Sequence, residues 1–556
     1  MDKLSTQIIK YLEIMDVEYI FGIPSGNTAQ IYDSLYDSKI KPIFNKHEEA
    51  CVFSASGYSR SNDYSKLGVA LLCGGVGVAN AVNGIADAYR NEVPLLIISG
   101  APSTKVMSKG STQDLDTIPI TQSITKYSTL VTNPNKLMET IDELVTLAMT
   151  KPYGPVHVAI PMDMTSKLGD FVYPSILKSK PKFKQHKNQV DTYDAELINH
   201  FISKSNKGLI LVGKGAYGLK NEIDILSKKL GWYITTTPQG KSNVDNNSPY
   251  YIGNFGFFST DKAAEYAKSK DLDLVLAIGT SLGENATLNF NTDFLENKKI
   301  IQLTHNVKQA YTYICSDKLP IICDVQDLVK KLVKIVEEKT DKNPPILDKE
   351  SLNDNMEDNI VEEGVSLTEF MKKLPSIMKN ETTYICDIGE FMNYTSKYLL
   401  PHKNSEYILN LNYGSMGSGI CSSVGTALGT NNKCVVILGD GTFNMNGLEV
   451  LTAKEYNIPI VYFVINNARY NYVHQGLNFL FGRCTKENSF ERLDISKVSK
   501  SLGIKSYQIN NVDELFDIKE ELNNSTEPIV VELVTTGKEM AGTPDRFKTL
   551  NKSISK

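Results

Sequence analysis

Hydrophobic and polar positions alternate along this chain in a way that predicts short buried strands separated by helices. The apolar runs Val435–Leu438 and Ile460–Ile465 are too short for helices and are bounded by Gly, Pro or Asn, which is typical of buried strands. Between them, Asn444–Asn457 carries apolar residues at helical spacing. Strand, helix and strand in this order predict a parallel sheet, because parallel neighbours need a crossover connection.

Polar residues follow both of these strands. The first ends at Gly439-Asp440-Gly441 and the second at Asn466-Asn467. The carboxyl ends of parallel strands lie at one edge of a sheet, where open α/β sheets bind ligands. Carboxylate and amide oxygens suit Mg²⁺, which usually also takes phosphate, and the glycines would let a diphosphate approach the backbone near a helix N-terminus. The alternative is an ordinary βαβ unit with a glycine-rich turn.

Similar alternations elsewhere predict three α/β domains, each with a doubly wound parallel sheet. Three or four domains also agree with a length of 556 residues. The predicted domains span residues 1–165, 191–335 and 361–540, with linkers at 166–190 and 336–360 and a Lys-rich tail at 541–556.

Composition narrows the class of protein. Hydrophobic residues make up 41% and charged residues 22%, and the net charge is −5 without a basic run, so we expect no nucleic acid partner. No apolar run is long enough to span a bilayer, and the amphipathic N-terminus lacks the features of a signal peptide, so we expect no membrane association and a cytoplasmic location. Eight scattered cysteines without a CxxC pair indicate buried free thiols.

Asp440 and Asn467 are 27 positions apart, and GDG followed at this distance by Asn-Asn is a specific pattern. Here the chain resembles the thiamine diphosphate enzymes, most closely the acetolactate synthase (acetohydroxyacid synthase) large subunits. The resemblance implies thiamine diphosphate and Mg²⁺ as cofactors, with Asp440, Asn467 and the backbone carbonyl of Arg469 holding the cation. It also implies that the three domains are a pyrimidine-binding, a Rossmann-like middle and a diphosphate-binding domain.

A second part of the resemblance lies near the N-terminus. Glu48 is followed by a helix of small residues that ends in Gly57-Tyr58-Ser59-Arg60. In the family, an acid at this place binds N1′ of the cofactor's aminopyrimidine, so Glu48 is the predicted catalytic acid. The alternative is that Glu48, in the first turn, only complements the helix dipole.

Further residues follow from the resemblance. Met416 is predicted to lie between the two cofactor rings, and the backbone carbonyl of Gly414 to receive the 4′-amino group. Gln113 is predicted to face the reacting carbonyl. The other predicted cofactor-binding residues are Pro24, Asn80, Gly389, Glu390, Ser415, Gly439, Gly441, Thr442, Tyr470, Tyr472 and Val473.

The middle domain contains a GxGxxG match at 213–218, after which a helix is expected to open. The acid that a dinucleotide site would place after the next strand is missing, because the chain there reads Tyr-Ile-Thr-Thr-Thr-Pro at 233–238. Some members of the family hold FAD in this domain and others hold nothing. FAD is therefore an open alternative against which the missing acid counts.

The reaction implied by the resemblance is decarboxylation of a pyruvate-like 2-oxo acid, followed by carboligation of the remaining acyl unit to a second carbonyl. Pyruvate decarboxylases have a His-His pair that is absent here and a catalytic Glu where this chain has Val473. Thr112 and Gly476 stand where the synthases have Phe and a specificity Trp, which leaves the acceptor open. The alternatives are a simple 2-oxo acid decarboxylase, another lyase or acyltransferase, or a non-catalytic paralogue.

Subunit organisation also follows from the resemblance. Glu48 and the predicted Mg²⁺ site belong to different domains. Because the family builds each active site across two subunits, we expect a homodimer or a homotetramer.

Overall fold

Three parallel six-stranded sheets form the framework of the chain in a computed structural model, which describes residues 2–169, 192–311, 317–338, 352, 363–541, 547–548 and 551. Helices flank each sheet, which confirms the predicted α/β class with doubly wound parallel sheets. A short antiparallel pair, Asp2–Lys3 with Leu168–Gly169, joins the ends of the first domain. None of the helices within these ranges is long and apolar enough to cross a membrane.

The N-terminal sheet is built around its most buried strands, which are apolar on both faces. Its strands lie in the spatial order Lys41–Phe44, Tyr19–Gly22, Gly68–Leu72, Leu95–Ala101, Pro155–Pro161 and Tyr127–Leu130. Its helices are Leu4–Ile14, Ala29–Leu35, Glu48–Ser61, Val76–Arg90, Ile118–Gln122, Leu137–Ala148 and Met162–Thr165.

The C-terminal sheet repeats the N-terminal strand order. Its strands lie in the order Glu406–Leu409, Thr382–Cys386, Lys433–Gly439, Ile460–Asn466, Ile529–Val534 and Lys505–Ile509. Its helices are Leu367–Ile377, Phe391–Lys397, Ser418–Gly429, Asp440–Asn446, Val450–Glu455, Asn471–Phe481, Ile495–Ser501, Glu514–Asp517 and Lys519–Asn524. The strands that carry Asp440 and Asn467 are adjacent and parallel, so both residues lie at the same sheet edge.

The middle sheet has a different order, in which the first and fourth strands along the chain are central neighbours. Its strands lie in the order Tyr251–Asn254, Tyr233–Thr236, Gly208–Val212, Leu274–Ile278, Lys299–Thr304 and Lys318–Ile322. This is the order of dinucleotide-binding folds. Its helices are Thr192–Lys204, Lys220–Leu230, Asp261–Ala267, Thr292–Leu295, Val307–Tyr311 and Val325–Ile335.

Two local predictions were wrong. The single helix expected over 444–457 is two helices separated by a 3₁₀ turn, Gly447–Glu449, and the break falls at Asn-Gly, two residues of low helix propensity. The helix expected to open at the GxGxxG segment begins only at Lys220, because Tyr217 is extended and Gly218 has a φ of +69°. The predicted domain boundaries remain predictions, since both linkers and the tail fall largely outside the described residues.

The N- and C-terminal domains contact each other through two helices of small residues, Glu48–Ser61 and Ser418–Gly429. A Cβ on Gly425 would lie 1.7 Å from the carbonyl oxygen of Ser54. The Ser54 hydroxyl donates to the carbonyl of Cys421 at 2.8 Å. The two helix backbones are therefore too close for any side chain at Gly425.

Gly425→Ala tests this packing. We expect the variant to lower the free energy of unfolding by about 1–3 kcal/mol, because the methyl group forces the two helices apart. Gly26→Ala is the matched control, since a Cβ there meets nothing within 4 Å. Urea denaturation followed by circular dichroism measures the unfolding midpoint of each variant, and equal midpoints would contradict the packing argument.

Candidate active site

A cavity of about 140 Å³ opens at the carboxyl edge of the C-terminal sheet, and every residue that lines it belongs to the segment 388–473. Many of the predicted cofactor residues are brought together here. They are Gly389, Glu390, Met416, Gly439, Asp440, Gly441, Thr442, Asn467, Arg469, Tyr470, Tyr472 and Val473. The lining also includes Ile388, Phe391, Ile465 and Asn471, which the sequence did not single out.

The Asp440 carboxylate is the centre of this cavity's hydrogen bonding. Its Oδ1 accepts from the backbone N–H of Gly441 at 2.7 Å, and its Oδ2 accepts from those of Asn467 at 3.0 Å and Ala468 at 2.6 Å. Ala468 has a φ of +56°, a left-handed conformation that wraps the turn around the carboxylate. Burial raises the pKa of Asp440 to about 6, although these donors act against that increase.

Glu390 is a buried carboxylate within the same cavity. Its Oε1 accepts from Asn467 Nδ2 at 2.5 Å, and its Oε2 accepts from Gln475 Nε2 at 3.1 Å and from Asn471 Nδ2. Burial raises the pKa of Glu390 to about 8, despite these amide donors, and the nearby carboxylates of Asp440 and Glu539 add to the increase. Because Glu390 takes the Nδ2 of Asn467, the amide oxygen of Asn467 points the other way, where it accepts from the backbone N–H of Arg469 at 3.2 Å.

The chemistry of these groups fits Mg²⁺ and a diphosphate. No cluster of three His, Cys, Asp or Glu side chains suited to a metal occurs in the described part of the chain. One carboxylate combined with amide and backbone carbonyl oxygens is instead a donor set for a cation that also takes phosphate oxygens. Buried polar atoms of the lining without a hydrogen-bond partner include Thr442 Oγ1, Arg469 Nε and Asn471 Oδ1, so the cavity has unused capacity for a polar ligand.

Asp387 is a buried carboxylate beside the site that the sequence analysis did not single out. Its fully buried carboxylate accepts from the backbone N–H groups of Ile388 at 2.6 Å, Gly417 at 3.0 Å, Gly419 at 2.8 Å and Ile420 at 3.1 Å. These bonds fix the loop that carries Met416. The signal was present, because Asp387 follows its strand as Asp440 follows the neighbouring one.

Met416 lies over the GDG turn, since its Cε is 3.4 Å from the position of a Cβ on Gly441. The preceding residue, Ser415, lies at the contact with the N-terminal domain. Its hydroxyl accepts from Asn83 Nδ2 at 2.7 Å, and the same amide group donates to Glu49 Oε1 at 2.7 Å. Gly414 is exposed beside them and has a φ of +77°.

The remaining predicted residues lie on the N-terminal domain and do not line this cavity. Glu48 is partly exposed and accepts from Asn80 Nδ2 at 3.0 Å. Gln113 has a φ of +64° and accepts from Asn27 Nδ2 at 3.1 Å. Pro24 is exposed. Within one chain, the predicted residues therefore form two separate groups, one in and beside the C-terminal cavity and one on the N-terminal domain.

Models of three thiamine pyrophosphate enzyme domains match this chain in order. The N-terminal TPP binding domain matches residues 2–120, the central domain residues 196–332 and the C-terminal TPP binding domain residues 387–533, which together are more than half of the chain. The chain belongs to the thiamine pyrophosphate enzymes. Thiamine diphosphate is therefore its cofactor, and the enzyme is a thiamine-dependent transferase or lyase.

Curated relatives of this thiamine diphosphate enzyme include acetolactate synthases. A probable acetolactate synthase large subunit of Methanocaldococcus jannaschii is 28% identical, with 95% of this chain and 91% of that protein covered. The acetolactate synthase isozyme 2 large subunit of Escherichia coli K12 is 25% identical, with 94% of each chain covered. The enzyme is thus acetolactate synthase-like.

A solved structure supports the fold. The thiamine diphosphate-dependent 4-hydroxybenzoylformate decarboxylase of Rhodococcus jostii RHA1 superposes with a TM-score of 0.84 over 96% of this chain and 99% of that one. At 16% identity, this likeness concerns the fold alone.

Asp387→Asn tests the role of the missed carboxylate. We expect the free energy of unfolding to fall by at least about 2 kcal/mol and thiamine diphosphate to bind more weakly, because an amide has one acceptor oxygen for four N–H donors. Chemical denaturation and calorimetric titration with thiamine diphosphate and Mg²⁺ measure the two effects. Asp517→Asn, at an exposed position, is the control, and identical behaviour of both variants would refute the role.

Proposed function

We propose that this enzyme decarboxylates a pyruvate-like 2-oxo acid with thiamine diphosphate and Mg²⁺ and joins the acyl unit to a second carbonyl compound. With pyruvate as both donor and acceptor, the product is 2-acetolactate. The observation that carries this proposal is the similarity to proteins named acetolactate synthase, which extends over 94% or more of the chain in several relatives.

The cofactor's contribution and the protein's contribution are separate. Thiamine diphosphate, when bound, supplies the nucleophilic carbon and takes up the electron pair that departing CO₂ leaves behind. Asp440, Asn467 and the carbonyl of Arg469 would hold Mg²⁺ against the diphosphate. Glu48 would hold a proton at N1′ of the aminopyrimidine, a general acid–base contribution worth roughly 10²–10⁴ in rate.

The wall of the cavity favours carboligation over simple proton transfer. Val473, an apolar residue, stands at the exposed side of the lining. A side chain that cannot donate a proton there leaves the acyl unit free to react with a second carbonyl.

We also propose a homodimer, or a homotetramer made of two such dimers. Glu48 is partly exposed on the N-terminal domain, and the diphosphate cavity is lined by the C-terminal domain alone. Exposed apolar side chains surround both half-sites, a pattern typical of a protein interface. They include Val76, next in the chain to Gly77 beside Glu48, Val473 in the lining with Asp440, and Met445 and Leu448 on the segment that follows Asp440.

For FAD the chain offers less support. The strand Tyr233–Thr236 is followed by Thr237 and Pro238, so no acid is present there to bind a ribose. We therefore leave FAD out of the proposed cofactor set. A purified protein without flavin absorption agrees with this, and a yellow protein contradicts it.

Glu48→Gln tests the proposed reaction. With pyruvate, thiamine diphosphate and Mg²⁺, we expect the wild type to form acetolactate and the variant to lose at least about 10²-fold in rate, because Gln cannot hold the N1′ proton. Acetolactate and acetaldehyde are scored separately. Glu49→Gln is the control, with the smaller effect expected. Acetaldehyde as the main product, or no product while thiamine diphosphate still binds, would refute the synthase proposal.

A mixture of two inactive variants tests the shared active site. If Glu48 of one subunit serves Asp440 of the other, a Glu48→Gln/Asp440→Asn heterodimer contains one intact site and one doubly altered site. Random reassociation makes about half of the dimers heterodimers, so about a quarter of the wild-type activity should return. The two variants are dissociated, mixed and allowed to reassociate, and the acetolactate assay then measures the activity that returns. Activity that stays at the level of the separate variants would place both residues in one subunit's site.

A further inference from the structure

A buried carboxylate of the C-terminal domain contacts the chain immediately before Glu48. Glu449 follows Asp440 by nine positions and is only 2% exposed. Its Oε1 accepts from the backbone N–H of Lys46 at 2.8 Å, and its Oε2 accepts from Asn45 Nδ2 at 3.1 Å. Glu449 does not line the diphosphate cavity, so the proposed reaction gives it no part.

Three donors satisfy the Glu449 carboxylate inside the protein. In addition to Lys46 and Asn45, the Thr452 hydroxyl donates to Oε2 at 3.0 Å. Burial raises the pKa of Glu449, and the three donors act against that rise because they favour the charged form. Hydrogen bonds to a charged carboxylate are stronger than those between neutral groups, so this contact holds Asn45 and Lys46 firmly.

The connection 45–47 decides where Glu48 lies. It joins the edge strand Lys41–Phe44 to the helix that begins at Glu48. An edge strand has a hydrogen-bonded neighbour on one side only and presents unpaired backbone groups on the other. Here the backbone N–H of Phe44 donates to the Tyr456 hydroxyl at 2.8 Å, so the C-terminal domain holds the end of this strand as well.

The Glu48 side chain has few contacts of its own that would fix it. Within the described residues, the hydrogen bond to its carboxylate comes from Asn80 Nδ2 at 3.0 Å, and Asn80 is exposed. The backbone that leads into Glu48 therefore decides much of the position of this carboxylate. An acid acts only within hydrogen-bond reach of the atom that it protonates, so a small displacement lowers the rate.

We propose that Glu449 is a positioning residue for Glu48 and acts on it through the connection 45–47. The inference rests on the proposed role of Glu48 as the acid at N1′ of the aminopyrimidine. Glu449 touches neither cofactor nor substrate in this proposal. Loss of its charge would let the connection 45–47 shift and would move the Glu48 carboxylate, while the groups predicted to hold Mg²⁺ and the diphosphate stay in place.

Exchange of the C2 proton of bound thiamine diphosphate for deuterium tests this proposal without any substrate. The proton at N1′ promotes loss of the C2 proton, so the exchange rate reports the position of Glu48. We expect Glu449→Gln to slow the exchange at least about tenfold, because its amide group places an N–H against donors that the carboxylate accepts. NMR after acid quenching measures the rate, and Glu48→Gln gives the rate without the acid.

A second readout needs no cofactor. Backbone amide exchange in the cofactor-free protein, followed by mass spectrometry, measures how firmly the connection 45–47 is held. We expect faster exchange there in Glu449→Gln. Calorimetric titration should give the affinity of the wild type for Mg²⁺ and thiamine diphosphate, since the proposal leaves the predicted metal site unchanged.

Two control variants separate positioning from a general loss of stability. Glu455→Gln removes an exposed charge that pairs with the Lys46 ammonium group, and it should leave C2 proton exchange unchanged. Asp273→Asn alters a carboxylate of the middle domain that accepts from the backbone N–H groups of Asn206 at 2.8 Å and Lys207 at 3.1 Å. It should lower the unfolding midpoint without slowing C2 proton exchange.

A compensating substitution tests the contact itself. Adding Asn45→Asp to Glu449→Gln exchanges the donor and the acceptor, so the pair can again form a hydrogen bond at nearly the same size. We expect part of the C2 proton exchange rate to return in this double variant. A purely structural effect of Glu449→Gln would not be relieved by a second buried substitution.

Three outcomes would overturn the proposal. The first is equal C2 proton exchange in the wild type and Glu449→Gln, and the second is weakened Mg²⁺ binding, which would show that Glu449 acts on the segment of Asp440. The third is wild-type exchange in Glu48→Gln, which would refute the proposed role of Glu48 and this inference together. None of these readouts requires turnover, so a failure to form acetolactate is distinguishable from all three.

Discussion

The hydrogen bonds between the Asp440 carboxylate and the turn after the neighbouring strand are the interaction on which the candidate active site depends. Two backbone N–H groups, from Asn467 and Ala468, converge on one carboxylate oxygen. Charge-assisted bonds of this kind are among the stronger ones in proteins, and here they hold Ala468 in a left-handed conformation. Without these bonds, the same residues would still end the two strands, but the carboxylate of Asp440 and the amide of Asn467 would not be held close together.

A buried acid so near a diphosphate cavity needs a physical explanation. Glu390 and Asp440 both lie in the lining, and burial disfavours the charged form of each. A diphosphate alone would add further negative charge to this region. A divalent cation held by these residues would offset that repulsion, so we expect binding of the diphosphate to depend on the cation.

The sequence predicted the site best where its residues directly follow predicted strands. GDG and Asn-Asn end two adjacent strands, so their meeting at one edge followed from the periodicity of the pattern alone. Asp387 also follows a strand, but three of its four donors come from a loop some thirty residues away, so its position after the strand did not reveal what it binds. The helix break before Gly447 and the late helix start at Lys220 show the same limit for boundaries, which the backbone conformations of Asn446 (φ −127°) and Gly218 (φ +69°) decided.

The middle domain also contacts the helix that begins beside the diphosphate cavity. Lys241 is fully buried and donates to the carbonyls of Thr395 at 2.7 Å and Ser396 at 2.8 Å, at the end of the helix Phe391–Lys397. A cation at a helix C-terminus is favourable, and this helix begins next to Glu390. Glu92 and His305 tie the same middle domain to the N-terminal one. The middle domain therefore braces both domains that carry the predicted catalytic residues, and this gives it a structural role whether or not it binds a ligand of its own.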